Sequence, residues 1–389
     1  MAARICYLLA GYGHTGGSMV LYKFMDKLSE RGYEVYAVTP NDSTKWRPGY
    51  SGEVVKRFES GQPRQSVLER LPFVRRLRQV KLSPFGPVED LHWQTSRLMK
   101  RWVPSEFTVA TYCTTAYAGY MLMDKTLPLY HMQHYEELIF ETELEAKIAR
   151  LTYFLPLKLI ANSAWLKDQV LSRTGRNSYF LNPGLETRVF YPRERTAQKY
   201  EKATRFTILS YYSPTKFKAW DDAVKAMKIV LGKARDRVDW VVFGGAPVSL
   251  PSLPVRFVGR VFEDHLADLY SSAQVCFMNS WYESFPFPPL EAMACGAAVV
   301  TTRFGTEDYA FDGENCLVVP PKSPETLAEA ILRLVDDRSL AKRLAEAGPE
   351  TARRFDWETA ADNLERILAE ARVDAKVVGN VSSPAGRTP

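Results

Sequence analysis

The chain is predicted to be an α/β protein of two domains, each a parallel sheet flanked by helices, and three features of its 389 residues agree on this. Apolar runs of strand length alternate with stretches of helical period from the first residues onward. The second half repeats that plan after a polar, charged linker at 193–205. The length also exceeds what one hydrophobic core normally serves. No short-period repeat occurs, which excludes a solenoid.

Taken in order, residues 5–10 are apolar and read as a buried strand running into a glycine-rich turn at 11–17. Residues 18–31 have helical period and stop at Gly32, and 34–39 make a second strand before Pro40. After an insertion rich in basic residues, strands are expected at 107–112, 129–133 and 159–162. Between them fall a small-residue helix at 114–123 and, after the last, a helix at 163–174 capped by Ser163. In the second half the strands are 206–211, 238–243, 255–258, 274–278, 298–302 and 316–319. The helices are 221–230, 262–270, 291–294, 324–334 and 339–347, and a last one covers 358–371. Such βα alternation builds a parallel sheet with helices on both faces.

Composition narrows the class. A hydrophobic content of 46% and an aromatic content of 12% suit a globular enzyme and not a disordered chain. The first apolar run is too short for a signal peptide or a membrane span, and no later segment reaches 18 uncharged apolar residues. Five scattered cysteines, odd in number and without a CxxC, fit a reducing cytosol and no zinc site, so a cytoplasmic location is expected. The net charge of +6 is unevenly spread. Between Gly61 and Pro104 stand nine basic residues, Arg64, Arg70, Arg75, Arg76, Arg78, Lys81, Arg97, Lys100 and Arg101, against Glu69, Glu89 and Asp90. Apolar residues such as Leu71, Phe73, Val74 and Leu77 are interleaved among them. Residues 64–101 are therefore a candidate for peripheral docking on an anionic membrane surface, with a solvated basic helix face as the plain alternative. No nucleic-acid motif accompanies them, so no nucleic-acid partner is expected.

The most informative stretch is Trp281-Tyr282-Glu283-Ser284-Phe285-Pro286-Phe287-Pro288-Pro289-Leu290-Glu291 and the residues to Gly296. It sets two carboxylates eight positions apart, the first in a loop that the prolines hold extended and the second in the first turn of a helix. A helix N-terminus behind a tight loop is an anion site. Acids beside a phosphate repel it, so Glu283 and Glu291 are expected to face sugar hydroxyls at either side of a diphosphate. Gly11-Tyr12-Gly13-His14-Thr15-Gly16 also matches G-x-G-x-x-G after a strand. A dinucleotide site needs an acid at the end of the next strand, and that strand ends in Val38-Thr39-Pro40 with only Asn41-Asp42 behind it.

The stretch resembles the Glu-x7-Glu signature of the retaining glycosyltransferases of the group 1 family, and the likeness continues through 297–302, Gly305-Thr306-Glu307-Asp308, Asp312-Gly313-Glu314-Asn315 and 317–321. The resemblance implies the GT-B fold, two Rossmann-like domains facing a central cleft. The first domain is then 1–192, on the acceptor side and joined by a crossing helix at about 356–375. The second is the nucleotide-sugar domain 205–355, and 376–389 is a flexible tail. By resemblance Glu283 meets the transferred sugar, Glu291 the ribose, the amides of Phe285 and Phe287 and the neighbouring Leu290 the donor, and Arg260 the nucleobase. Lys218 fits the family's phosphate-binding lysine. The arginine that usually precedes it is missing, with Tyr212 or Ser213 near its place and Lys216 close by. Gly16 and Gly17 take the position under the donor phosphate. His134 is preferred over His131 as the histidine that approaches the donor sugar. Gln133, Tyr135 and Glu136 resemble a bacterial surface-polysaccharide or rhamnosyl transferase branch.

The implied activity is retaining, hexosyl or deoxyhexosyl transfer from a nucleotide diphosphate sugar to a glycan, lipid-linked or small-molecule acceptor. No cofactor is expected beyond the donor itself. No D-x-D occurs to hold a metal on the phosphates, so a metal-independent reaction is expected. Two other readings stay open at this level: a sugar-nucleotide epimerase on the same fold, and a non-catalytic, membrane-docked binding module.

Overall fold

In a computed structural model, which describes residues 3–13, 15–50, 86–193, 199–201 and 204–381, the chain divides into two units. The first comprises residues up to 162, 167–181 and those from 361 onward; the second comprises 163–166 and 182–360.

The first unit is built on β1 (Arg4–Leu8), β2 (Glu34–Val38), β3 (Ser43–Lys45), β4 (Phe107–Ala110), β5 (Leu127–Met132), β6 (Lys158–Ala161) and β7 (Tyr179–Phe180), ordered β3-β2-β1-β4-β5-β6-β7. Every pairing is parallel except β2 with the short edge strand β3. Ile5, Cys6, Tyr7 and Leu8 are all buried, as are the four residues of β4, because helices cover both faces of these strands. The helix Gly16–Glu30 begins two residues earlier than its period suggests, since Thr15 caps it by accepting from the Ser18 amide.

The second unit holds β8 (Phe206–Tyr212), β9 (Val238–Gly244), β10 (Val255–Gly259), β11 (Val275–Met278), β12 (Ala298–Thr302) and β13 (Leu317–Val319), all parallel and ordered β10-β9-β8-β11-β12-β13. Ile208, Trp240, Phe277 and Val300 point into one apolar cluster. Their neighbours Leu209, Val241, Cys276 and Val299 point into another, so the sheet is a layer between two cores. Successive strands run outward from β8 on one side and from β11 on the other. The boundary between β8 and β11 is thus the topological switch point of this sheet, the place at the carboxyl edge where open α/β sheets bind ligands. All five cysteines are buried and unpaired.

Two details differ from the sequence expectation. Residues 182–192, assigned above to the first domain, pack with the second unit: the Leu185 amide donates to the Phe355 carbonyl at 2.7 Å, and Leu185 joins the core around Leu209. The last helix is Trp357–Val381, longer than 358–371 and reaching into the stretch read as a tail, because no proline stops it before Pro384. Its first-unit part is tied down by Arg31 to Asp362 and Glu365, both at 2.6 Å, and by Lys158 to Asp374 at 3.0 Å. Residues 382–389 lie outside the described residues. So does most of the basic segment, of which the helix Gly86–Arg101 is described from the end of that segment.

Candidate active site

The loop leaving β8 carries Lys218. Residues Lys216–Lys218 form one 3-10 turn, which Ala219 ends in the left-handed region (φ 56°) before the helix Trp220–Ala234. A non-glycine residue held there is a local strain that surrounding contacts must fix. They come from the loop leaving β11. Asn279 donates Nδ2 to the Ala219 carbonyl at 2.9 Å, and the Trp281 amide donates to the Phe217 carbonyl at 2.7 Å. Trp281 Nε1 donates to Asp222 at 2.8 Å, and the Phe217 and Tyr282 rings stack at 5.1 Å. The switch-point loops are therefore stitched together, and at their meeting Lys218 Nζ pairs with Glu283 Oε1. The side chains are 25% and 12% exposed, so bulk water screens the pair incompletely.

Glu283 is also fixed from the β12 side. Its amide donates to the Phe304 carbonyl at 3.0 Å, and Gly305 (φ 102°) packs so closely that an added Cβ would lie 2.6 Å from the Glu283 carbonyl oxygen. Phe304 is itself left-handed (φ 75°). Glu307 holds this tight turn by accepting from the Phe304 and Gly305 amides at 3.0 and 2.6 Å.

The helix after Pro286 corrects the sequence reading. It spans Phe287–Ala294 and so starts four residues before the expected 291, with Pro288 and Pro289 inside its first turn. Prolines are accepted there because those amides have no intrahelical partner anyway. Of the four leading positions Pro286, Phe287, Pro288 and Pro289, Phe287 alone can donate an N–H. Glu291 consequently sits in the second turn, partly buried, where Tyr270 Oη donates to Oε2 at 3.1 Å. Desolvation pushes its carboxyl up to about 7, and the Tyr270 hydrogen bond only partly opposes this. Leu290 is fully buried, and Phe285 packs edge-on to Tyr309 at 5.4 Å. Arg260 stands exposed just past β10, two strands from β8.

In the first unit, Gly16 and Gly17 open the helix Gly16–Glu30, and a Cβ on Gly17 would touch the Gln133 side chain at 3.4 Å. Thus the loop after β1 meets the loop after β5. The two histidines separate clearly. His131 lies within β5, fully buried against Phe24 at 5.4 Å, and burial pushes its imidazole down to about 3. His134 lies in the partly exposed loop beyond that strand. Glu136 is buried nearby: it accepts from the Cys113 amide at 2.6 Å at the start of the helix Cys113–Met121, and its own amide donates to Tyr153 Oη at 2.8 Å. Desolvation raises its carboxyl to about 7.

The structure thus brings Lys218 and Glu283 into contact and sets Phe285, Phe287, Leu290 and Glu291 on the loop and helix that follow. Sequence reasoning missed Tyr270 as the partner of Glu291, the Trp281–Asp222 latch and the Glu307 clasp. Only Glu307 had a signal, the Gly305-Thr306-Glu307 turn itself.

Residues 204–337 match the family model described as glycosyl transferases group 1. The chain carries a group 1 glycosyltransferase domain. This transferase domain contains Lys218, Glu283 and Glu291. A D-inositol 3-phosphate glycosyltransferase of Streptomyces bingchenggensis is 37% identical over 118 residues, 30% of this chain and 26% of that protein. Across the first such relatives the chain spans between 26% and 52% of their length. Sucrose-phosphate synthase from Thermosynechococcus elongatus superposes with a TM-score of 0.70 over 96% of this chain and 100% of its own, at 17% identity. Anabaena Alr3699/HepE in complex with UDP-glucose gives 0.67 over 95% and 100%, at 15% identity. These likenesses show a GT-B fold.

Proposed function

We propose that the chain transfers a sugar from a nucleotide diphosphate donor to a hydroxyl-bearing acceptor, with retention and without a metal. The observation that carries this is the fixed meeting of Lys218 with Glu283 at the switch point, beside the start of the helix Phe287–Ala294. As the bond from the anomeric carbon to the phosphate oxygen breaks, the leaving diphosphate gains charge. Lys218, the Phe287 amide and the helix dipole meet that charge. Glu283 accepts from hydroxyls of the transferred sugar and Glu291 from the ribose. The acceptor oxygen bonds to the anomeric carbon on the face the phosphate leaves, and its proton passes to a phosphate oxygen. No protein nucleophile is needed. The solved relative that holds UDP-glucose supports a nucleotide sugar as the donor class.

The acceptor is a glycan or lipid-linked hydroxyl, and residues 64–101 offer contact with an anionic membrane. Among the described residues no helix is long and apolar enough to cross a bilayer. The test is a transfer assay with a panel of nucleotide sugars and acceptors, with the anomeric configuration of the product read by NMR. Donor consumed equally without acceptor would favour the epimerase. Donor bound but never turned over with any acceptor would favour the binding module. Inversion at the anomeric carbon would remove the retaining mechanism.

A further inference from the structure

The Lys218–Glu283 pair has an energetic consequence that rests on reading these loops as a diphosphate-sugar site. The ammonium that is to receive the phosphates is already neutralised inside the protein. It is not held by a passing rotamer of two exposed side chains: Asn279, Trp281 and the Phe217–Tyr282 stack lock the lysine loop, while Phe304 and Gly305 lock the Glu283 backbone. With the loops tied by these contacts, the two groups part by turning side chains. A nucleoside diphosphate reaching Lys218 must therefore displace a carboxylate of its own sign from a partly desolvated pair. A nucleotide sugar brings hydroxyls with it. These donate to Glu283 as Lys218 turns to the phosphates, so neither charge is left unsatisfied.

We propose that the Lys218–Glu283 pair is a specificity lock, which withholds the lysine from a bare nucleoside diphosphate and yields it to one that carries a sugar. After transfer the sugar's hydroxyls leave Glu283, the carboxylate takes Lys218 back, and the diphosphate is released. Glu283 thereby sets both donor selection and product release.

Calorimetric titration tests this with the diphosphates of uridine, adenosine, guanosine and thymidine, their glucose esters, and inorganic pyrophosphate. The wild-type chain binds the sugar nucleotide more tightly than the matching diphosphate. In Glu283→Gln the diphosphate and pyrophosphate tighten about tenfold while the sugar nucleotide weakens, the scale of one charge-assisted hydrogen bond made or broken. Adding Lys218→Gln erases the gain. Glu283→Asp keeps the charge and leaves the diphosphate weak; if it tightens as much as the Gln variant, altered shape rather than charge is responsible and the lock is overturned. All variants are compared below their thermal transitions, so that each is folded. A wild type that binds sugar nucleotides, with a Glu283→Gln variant whose diphosphate affinity is unchanged or lower, overturns the lock alone. A wild type that binds none of the panel overturns the underlying site reading, and the lock with it.

Discussion

At the scale of single residues, the role proposed for the Glu291 carboxyl at the donor's ribose predicts how donor binding responds to pH. Burial raises its folded-state value to about 7, so near neutrality the group is divided between acid and carboxylate. A carboxylate accepts from ribose hydroxyls better than the acid does, and binding draws the deprotonated form. Donor affinity is therefore expected to rise between about pH 6 and 8 and level off above it. Glu291→Gln should flatten that rise and weaken binding about tenfold at pH 8; a variant with the wild-type profile would remove Glu291 from the site. Gly305 gives a second prediction. At φ 102°, and with the Glu283 carbonyl where a Cβ would stand, Gly305→Ala should cost on the order of 2 kcal/mol or more and weaken the donor. Gly313→Ala is the control, for Gly313 has φ 73° but open space around it, and so bears the backbone penalty alone. Equal thermal shifts in the two variants would show that the contact with Glu283 is unimportant. Glu283 and Glu291 were legible in the sequence as a carboxylate pair across a proline-rich loop, and Lys218 through its resemblance to the family's phosphate-binding lysine; the structure adds the contact of Lys218 with Glu283. Tyr270 was not legible, because a tyrosine in a helix 21 positions away carries no mark of its partner until the fold joins them.

At the scale of elements, one carboxylate ties together pieces of the first unit that the sequence left apart. Glu136 accepts from the leading amide of the helix Cys113–Met121 while Tyr153 accepts from its own amide. Its carboxyl, raised to about 7 by desolvation, takes up a proton more readily in the folded chain than in the unfolded one. Its contribution to stability is therefore complete below the ordinary carboxyl range near 4.5 and is lost as pH rises through about 7. Glu136→Gln lacks this dependence, so its melting temperature relative to wild type should climb between about pH 5 and 8; a constant difference would show that Glu136 does not titrate there. The strand and helix order was readable because strands covered on both faces are unbroken apolar runs. The exceptions have physical causes. β3 and β7 are short edge strands of three and two residues, too brief to show a period. The helix Glu143–Thr152 was missed although Thr142 and Glu145 form its capping signature, with Thr142 Oγ1 accepting from the Glu145 amide at 3.2 Å. The start of the helix Phe287–Ala294 was placed too late because its prolines were read as loop, when a helix's first turn tolerates them.

At the scale of the whole molecule, the distribution of charge matters more than its sum. The segment between Gly61 and Pro104 alone carries 9 − 3 = +6, the net charge of the entire chain, so the remaining residues are neutral in total. At the described end of that segment, the helix Gly86–Arg101 presents Trp93, 46% exposed, with the Arg97 guanidinium 5.8 Å above its ring. An exposed aromatic beside cations suits the headgroup region of a bilayer, where the ring enters the interface and the charges meet lipid phosphates. Each basic side chain near an anionic surface contributes about 1 kcal/mol, and that attraction decays within a Debye length. Binding to vesicles rich in anionic lipid should therefore weaken steeply between low and high salt and vanish on neutral vesicles. Reversing Arg75, Arg76 and Arg78 to Glu changes the segment by six charges and should abolish co-sedimentation. The same change should leave nucleotide-sugar affinity in solution as it was, because none of the reversed charges is among the residues assigned to the donor. Co-sedimentation indifferent to salt and to that reversal would leave the basic segment as a solvated surface, and the acceptor would then be sought among soluble glycans.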